Sequence, residues 1–418
     1  MTKSKSHQSS SLVSQEQLRD FVLPVIPDAH MAGPEQLLEA FLAATFSSLC
    51  EPGDKLGGIL SQYLGHEALL GLVVARASAT SLRSKLHKTE IEAIEEQFGS
   101  EIDGLWRDSN ERWLPRLNQS AVLHSFSELL ALGGLLVPRS STLYPESLNQ
   151  LGTAAPHALW LRGNHELLGF SRKLALVGSR STNHYGIEAT TQLVAVATEN
   201  QIPVVSGGAF GIDAAAHSAT LRMGGHTIAV MAGGVDRLYP RSNQSLLEQV
   251  IAQGLVVSEV PPGVVPAKWR FLMRNRLIAA LGNGTVVVQA GKTSGSLNTA
   301  RHALDLGRPV AVVPGPWDSA HSVGCHRFLN EYPGLVTLLS RPSDLPAFLG
   351  ISHPEDTNPP GLGTLEKRAL DSFATGSMQV WEVQKLSGLT NTEVQIALGS
   401  LELSGHITRS GASFRRIT

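Results

Sequence analysis

Cysteine is almost missing from this chain. Only Cys50 and Cys325 occur in 418 residues, and they form no CxxC and no spacing suited to zinc, so neither a disulfide framework nor a metal site is expected. Long apolar runs are missing too. Nowhere do eighteen apolar residues follow one another, and the first dozen residues are Ser/Lys-rich without an apolar segment. No membrane span and no signal peptide are therefore expected, and a reducing cytoplasm fits best. Two nucleotide signatures are also absent. SGGAFGIDAAAH (206–217) spaces Gly207, Gly208 and Gly211 as G-G-x-x-G instead of GxGxxG. AGKTSG (290–295) looks like a P-loop, yet GxxxxGK would need glycine where Val286 stands. ATP hydrolysis by that route is excluded.

What is present is a soluble, globular composition with 42% hydrophobic residues and an uneven distribution of charge. The net charge of −2 divides into −6 over residues 1–170, +6 over 171–330 and −2 over 331–418. The basic middle is a first hint of a polyanionic partner.

Residues 1–33 are polar and then Pro-containing, and are expected to be a flexible tail. Over 34–135 apolar residues recur at three and four (Leu37, Leu38, Phe41, Leu42; Phe126, Leu129, Leu130), which predicts a small helical domain. GLLVPRSSTLYPESL then gives a short strand and a Pro-rich turn. From Lys173 the strands LALVG, IPVVSGG, HTIAVMAGG, GLVVSEV, TVVVQA and RPVAVVPG alternate with helices. Continuous apolar strands between helices predict a doubly wound, mostly parallel α/β core over 136–340. Residues 341–362 are Pro-rich and read as a linker. Over 363–418, three helical patterns, the third opened by the capping box Thr390 and Glu393, precede a hairpin. A winged helix is expected.

Ligands of open parallel sheets bind beyond the carboxyl ends of the strands. Here those ends carry VGSRSTNHYG, SGGAFGID, GGVDRLYPRSN, SEVPPG, QAGKTSGS and PGPW, a series of small and polar turns that predicts a ligand groove. Asp236, near the end of one strand, sits where a ribose-binding acid could, which keeps a mononucleotide open. The cations favour a longer ligand. Arg180, Arg237, Arg241, Lys268, Arg270, Arg274, Arg276 and Lys292 lie at or near strand ends, interleaved with Tyr239, Trp269 and Phe271, a mixture suited to single-stranded nucleic acid. Asp213 and His217, one helical turn apart, could form an acid–base or metal pair, but a helix-capping Asp and a structural His are the favoured reading. Glu259 is the other acid at the groove edge, and no second carboxylate accompanies it by spacing.

Taken in order, VGSRSTNHYG, SGGAFGIDAAAH, GGVDRLYPRSN, SEVPPG, RNRLIAALGNGTVVVQA, SGSLNTARHAL and GRPVAVVPG resemble the DNA-processing protein A family (DprA, also called Smf) over about residues 144–335. The resemblance implies a Rossmann-like core that binds and shields single-stranded DNA and loads the RecA recombinase in natural transformation, as a homodimer, without catalytic turnover or cofactor. It places phosphate contacts on Arg180, the backbone of Ser206, Gly207 and Gly208, Arg241, Lys268, Arg274 and Asn275. Phe271 is the stacking candidate. The chain departs from the family pattern at Leu272, where proline is usual, and at Gly324 to Leu329, where GTNxLI is usual. A competing class is the phosphoribohydrolase-like enzymes of similar fold, whose PGGxGTxxE glutamate has no counterpart in GKTSGSLNTARHA. A non-catalytic nucleotide sensor is the third reading. In the tail, LTNTEVQIALGSLELSGHI carries no Lys or Arg, so a protein-contact or weak backbone-binding role is expected there.

Overall fold

The computed structural model describes residues 13–27, 29–351, 362–373 and 377–417. Its contacts divide into two compact units, Met1–Ile351 and Ser352–Thr418.

The first unit is built on a nine-stranded sheet. Its strands are β1 (Leu135–Pro138), β2 (Ala158–Gly163), β3 (Leu174–Val177), β4 (Val204–Ser206), β5 (Thr227–Val230), β6 (Leu255–Ser258), β7 (Gly284–Val287), β8 (Val310–Val312) and β9 (Val336–Leu338), in the order β1-β2-β6-β5-β4-β3-β7-β8-β9. The seven strands from β6 to β9 are parallel, and β2 and β1 extend the sheet antiparallel. Strands such as LALV are buried at every position because helices cover both faces. Leu174 and Leu176 pack with the helices His184–Glu199 and Ile212–Arg222. Ala175 and Val177, pointing the other way, pack with Lys268–Leu281, Ser296–Asp305 and Val323–Glu331. The chain reverses its winding direction between β3 and β7, which lie side by side with Leu174 opposite Gly284. This is the point at which doubly wound sheets open a crevice.

The N-terminal helices Pro34–Leu49, Lys55–Val74 (broken at Gly65), Lys88–Phe98, Ile102–Trp113 and Gln119–Ala131 form no separate body. Their apolar faces share one core with Leu136, Trp160, Ala229 and Val256 of the sheet, and the Phe126 ring lies 5.8 Å from that of Trp160. The approach is close enough that a Cβ at Gly58 would collide with the Thr153 carbonyl oxygen.

Three expected boundaries move. Of the expected tail 1–33, residues 1–12 lie outside the described residues, but helical turns from Gln15 to Val25 bury Leu18, Val22 and Val25 in the core. These three share one helical face, which the surrounding polar residues obscure. The helical domain and the core fuse into one unit, as above. Of the expected linker 341–362, residues 352–361 lie outside the described residues, while Arg341–Ile351 folds back and buries Leu345 and Leu349 against the sheet core. Strands β2 and β9 were not legible in the sequence.

In the second unit the helices Thr364–Asp371, Val380–Ser387 and Asn391–Leu403 pack around Val383, Val394, Leu398 and Leu401. A three-stranded antiparallel sheet, Ser377–Gln379, Ser413–Arg416 and Ile407–Ser410 in that order, completes it, with one strand more than the hairpin expected. Thr390 and Glu393 form the capping box.

Candidate nucleic-acid interface

Beyond the carboxyl ends of β3, β4 and β7 lies an open cleft of about 700 Å3, at the reversal point of the sheet. One wall is the start of the helix Lys268–Leu281. Ala267, in extended backbone, precedes it, and its first turn holds Lys268 and Arg270 with no acidic residue. Cations at the positive end of a helix dipole are unfavourable unless an anion joins them. Arg270 has one. Its guanidinium makes bonds of 3.1 and 3.0 Å to the Glu51 carboxylate, which also pairs with Arg116, so the N-terminal helices grip the first turn of this wall. Lys268 has none, and its exposed ammonium lines the cleft.

Across from it, at the end of β3, Arg180 is exposed. Neither Arg180 nor Lys268 forms an ion pair among the described residues. The Arg180 guanidinium stands 5.5 Å from the centre of the half-buried Phe271 ring, and the Tyr239 ring lies 5.5 Å from Phe271 on the same rim. Two free cations thus flank an aromatic pair.

The deeper candidates are differently engaged. Arg274 is buried and donates to the carbonyl oxygens of Gly207, at 2.8 Å, and Val230. Burial lowers its pKa to about 10, opposed by the charge of Asp213, so it stays cationic at neutral pH. Asn275 lines the cleft but donates to the Gly295 carbonyl at 3.2 Å and to Asn298 at 3.3 Å. Ser206 is fully buried and its hydroxyl donates to the Leu176 carbonyl at 2.7 Å.

The glycine loop holds an anion of its own. The amides of Gly207 and Ala209 donate to one oxygen of the Asp213 carboxylate, at 3.2 and 3.4 Å. Burial pushes the Asp213 pKa up, against the opposing pull of Arg274 and these amides. The Gly207 amide, expected to meet a phosphate, is therefore occupied by the protein itself. Gly208, at φ +67°, makes the turn that aims the loop, and its carbonyl accepts from Asn243 at 3.1 Å. Arg241 is exposed in the same turn as Asn243 but outside the cleft lining.

His217 and Asp213 do not pair. The His217 ring meets the Thr227 hydroxyl at 2.7 Å in a fully buried site that lowers its pKa to about 3, in line with a structural role. Glu259 is bound by the buried Arg276 at 2.5 and 2.6 Å. Thr293, Ser294 and Ser296, from the strand end QAGKTSGS, line the same cleft; sequence reasoning placed that stretch at the groove but gave these three residues no contact of their own.

A doubly wound sheet with a cationic and aromatic cleft at its switch point defines the class: a Rossmann-like α/β protein. Residues 136–344 match the family described as DNA recombination-mediator protein A, and the chain belongs to that family. It is 42% identical over 247 residues to the putative DNA processing protein DprA of Mycobacterium tuberculosis, a match covering 59% of this chain and 61% of the relative. It is also 42% identical over 194 residues to the DNA processing protein DprA of Streptococcus pneumoniae, covering 46% and 68%. The X-ray structure of the pneumococcal DNA processing protein A superposes with a TM-score of 0.56 at 28% identity, over 75% of this chain and 96% of that one. The chain thus spans about three fifths of the length of the mycobacterial relative.

Proposed function

We propose that this protein binds single-stranded DNA in the cleft at the switch point, shields it, and loads the RecA recombinase onto it in natural transformation or homologous recombination. It does so in the cytoplasm as a homodimer, with no catalytic turnover. The observation that carries the proposal is the pair of unpaired cations, Arg180 and Lys268, around Phe271 and Tyr239. Cations hold phosphates while rings stack on bases, and a phosphate at the start of the 268–281 helix relieves the repulsion between Lys268 and the helix dipole. The winged-helix reading of the tail belongs to the same proposal, with a protein-contact role. Against the enzyme reading stands the lining of the cleft, whose single carboxylate among the described residues is Asp213, held by the loop amides.

The test is fluorescence anisotropy of labelled oligo-dT at several salt concentrations, with a duplex control and Arg180→Ala. Single-strand preference lost in the variant supports the proposal. No such preference, or release of base from a nucleoside monophosphate, overturns it in favour of a nucleotide enzyme or sensor.

A further inference from the structure

A second cleft, of about 790 Å3, opens at the opposite edge of the sheet, beside the amino ends of β3, β7 and β8. Lys173, directly before β3, lines it and is 4% exposed. Its ammonium donates to the Phe170 carbonyl, which leaves two of its three N–H groups without a protein partner. Arg308 lines the same cleft. One arm caps the carboxyl end of the 268–281 helix through the carbonyls of Ala279, Ala280 and Gly282, and the other donates to the Gln150 side chain at 2.7 Å. Arg139 borders the wall through Asn149, at 2.8 Å.

None of these three cations forms an ion pair among the described residues; all their partners are neutral oxygens. Burying a charge without an opposite charge is costly. Burial and the neighbouring Arg308 lower the Lys173 pKa to about 8. The one carboxylate in the lining, Glu146, is exposed at the rim. The helix dipole accounts for Arg308. It does not account for Lys173. Around the cations stand Asn283, Gln150 and the half-buried Phe170, amide and aromatic groups suited to a base.

We propose that this second cleft binds a phosphate monoester of nucleotide size, with Lys173 as the principal ligand of the phosphate and Arg308 completing its charge. The monoester is carried by a free mononucleotide or by the 5′-phosphorylated end of a DNA strand. The site shares no lining residue with the first cleft, so it stands or falls independently of the function proposed above.

The experiment is isothermal titration calorimetry of the full chain with dTMP, thymidine and inorganic phosphate, and with oligo-dT bearing or lacking a 5′ phosphate. Each ligand is titrated into the wild type and into Lys173→Met, Ser171→Glu and Arg180→Ala. We expect saturable binding of dTMP but not thymidine, weakened at least tenfold by Lys173→Met. Ser171→Glu sets a like charge at an exposed position of the lining, weakens binding without touching the core, and decides the matter if Lys173→Met fails to fold. Arg180→Ala leaves dTMP affinity unchanged. A 5′ phosphate that adds affinity through Lys173 identifies a strand end as the carrier; a dTMP-only response identifies the free nucleotide. Absence of dTMP binding, insensitivity to the cleft variants, or loss in Arg180→Ala overturns the site. The last outcome would move the nucleotide to the first cleft.

Discussion

The guanidinium of Arg274 occupies the space in which a side chain at Gly207 would begin. A Cβ at 207 would fall 2.5 Å from both terminal nitrogens of Arg274, while the Gly207 carbonyl accepts from one of them. The pair joins the glycine loop to the 268–281 helix. Arg274→Ala leaves two buried carbonyls unpaired and a cavity, and should cost about 2–4 kcal/mol of stability in thermal or urea unfolding. Gly207→Ala should destabilise as well. A variant that kept full stability and lost only DNA affinity would show Arg274 to be a phosphate ligand first.

Arg180 and Lys268 should behave in the opposite way. Both are exposed, so alanine at either should change stability by no more than about 0.5 kcal/mol. Each should weaken single-strand binding and reduce the slope of log affinity against log salt by about 0.7 for every phosphate no longer neutralised. Anisotropy over a salt series separates this from a general loss of fold.

In the proposed interface Phe271 is the ring on which a base would stack. Phe271→Ala should lose about 1–3 kcal/mol of single-strand binding with the salt slope unchanged, and Phe271→Trp should retain most of the affinity. An unaffected Phe271→Ala would confine the ring to packing against Tyr239.

Acid should destabilise the first unit partly through His217. Its pKa is about 3 in the folded protein against 6.5 for the free side chain. Above pH 6.5 the residue is neutral in both states and its contribution is fully present. Between 6.5 and 3 only the unfolded chain takes up the proton, so stability falls as pH falls, by up to about 1.4 kcal/mol per pH unit from this group. His217→Gln should flatten the stability profile in that window, measured by chemical denaturation. An unchanged slope would show that other groups govern acid unfolding.

A chain ending at Ile351 keeps the whole first unit. It should fold and retain most of the single-strand affinity. Loss of that affinity would assign the tail a direct share in the interface.

The alternation of apolar strands with helices made the parallel sheet legible, and the small and polar strand ends located the cleft. Both signals are local in the chain. The state of the individual site residues was not legible, because it depends on distant partners. Arg270 and Arg274 look alike in KWRFLMRNR, yet one meets Glu51 and the other the carbonyls of Gly207 and Val230. The Gly207 amide was expected to meet a phosphate, because nothing in the spacing shows that Asp213, six residues on, turns back to accept from it. Strand β2 was missed since ALWLRG lies outside the regular strand–helix alternation and joins antiparallel through pairing with β6, almost a hundred residues later. The helical tail of the core at Leu345 and Leu349 was hidden by prolines that the first turn of a helix tolerates.

The core shared between the N-terminal helices and the sheet also sets an order of events during synthesis. Phe41 and Phe46 leave the ribosome about two hundred residues before Val256, with which they share that core. At usual elongation rates the interval is roughly 10–40 s. Until then the shared core lacks the cover of Ala229 and Val256, and of the sheet only Leu136, Ala158 and Trp160 are in place to close it.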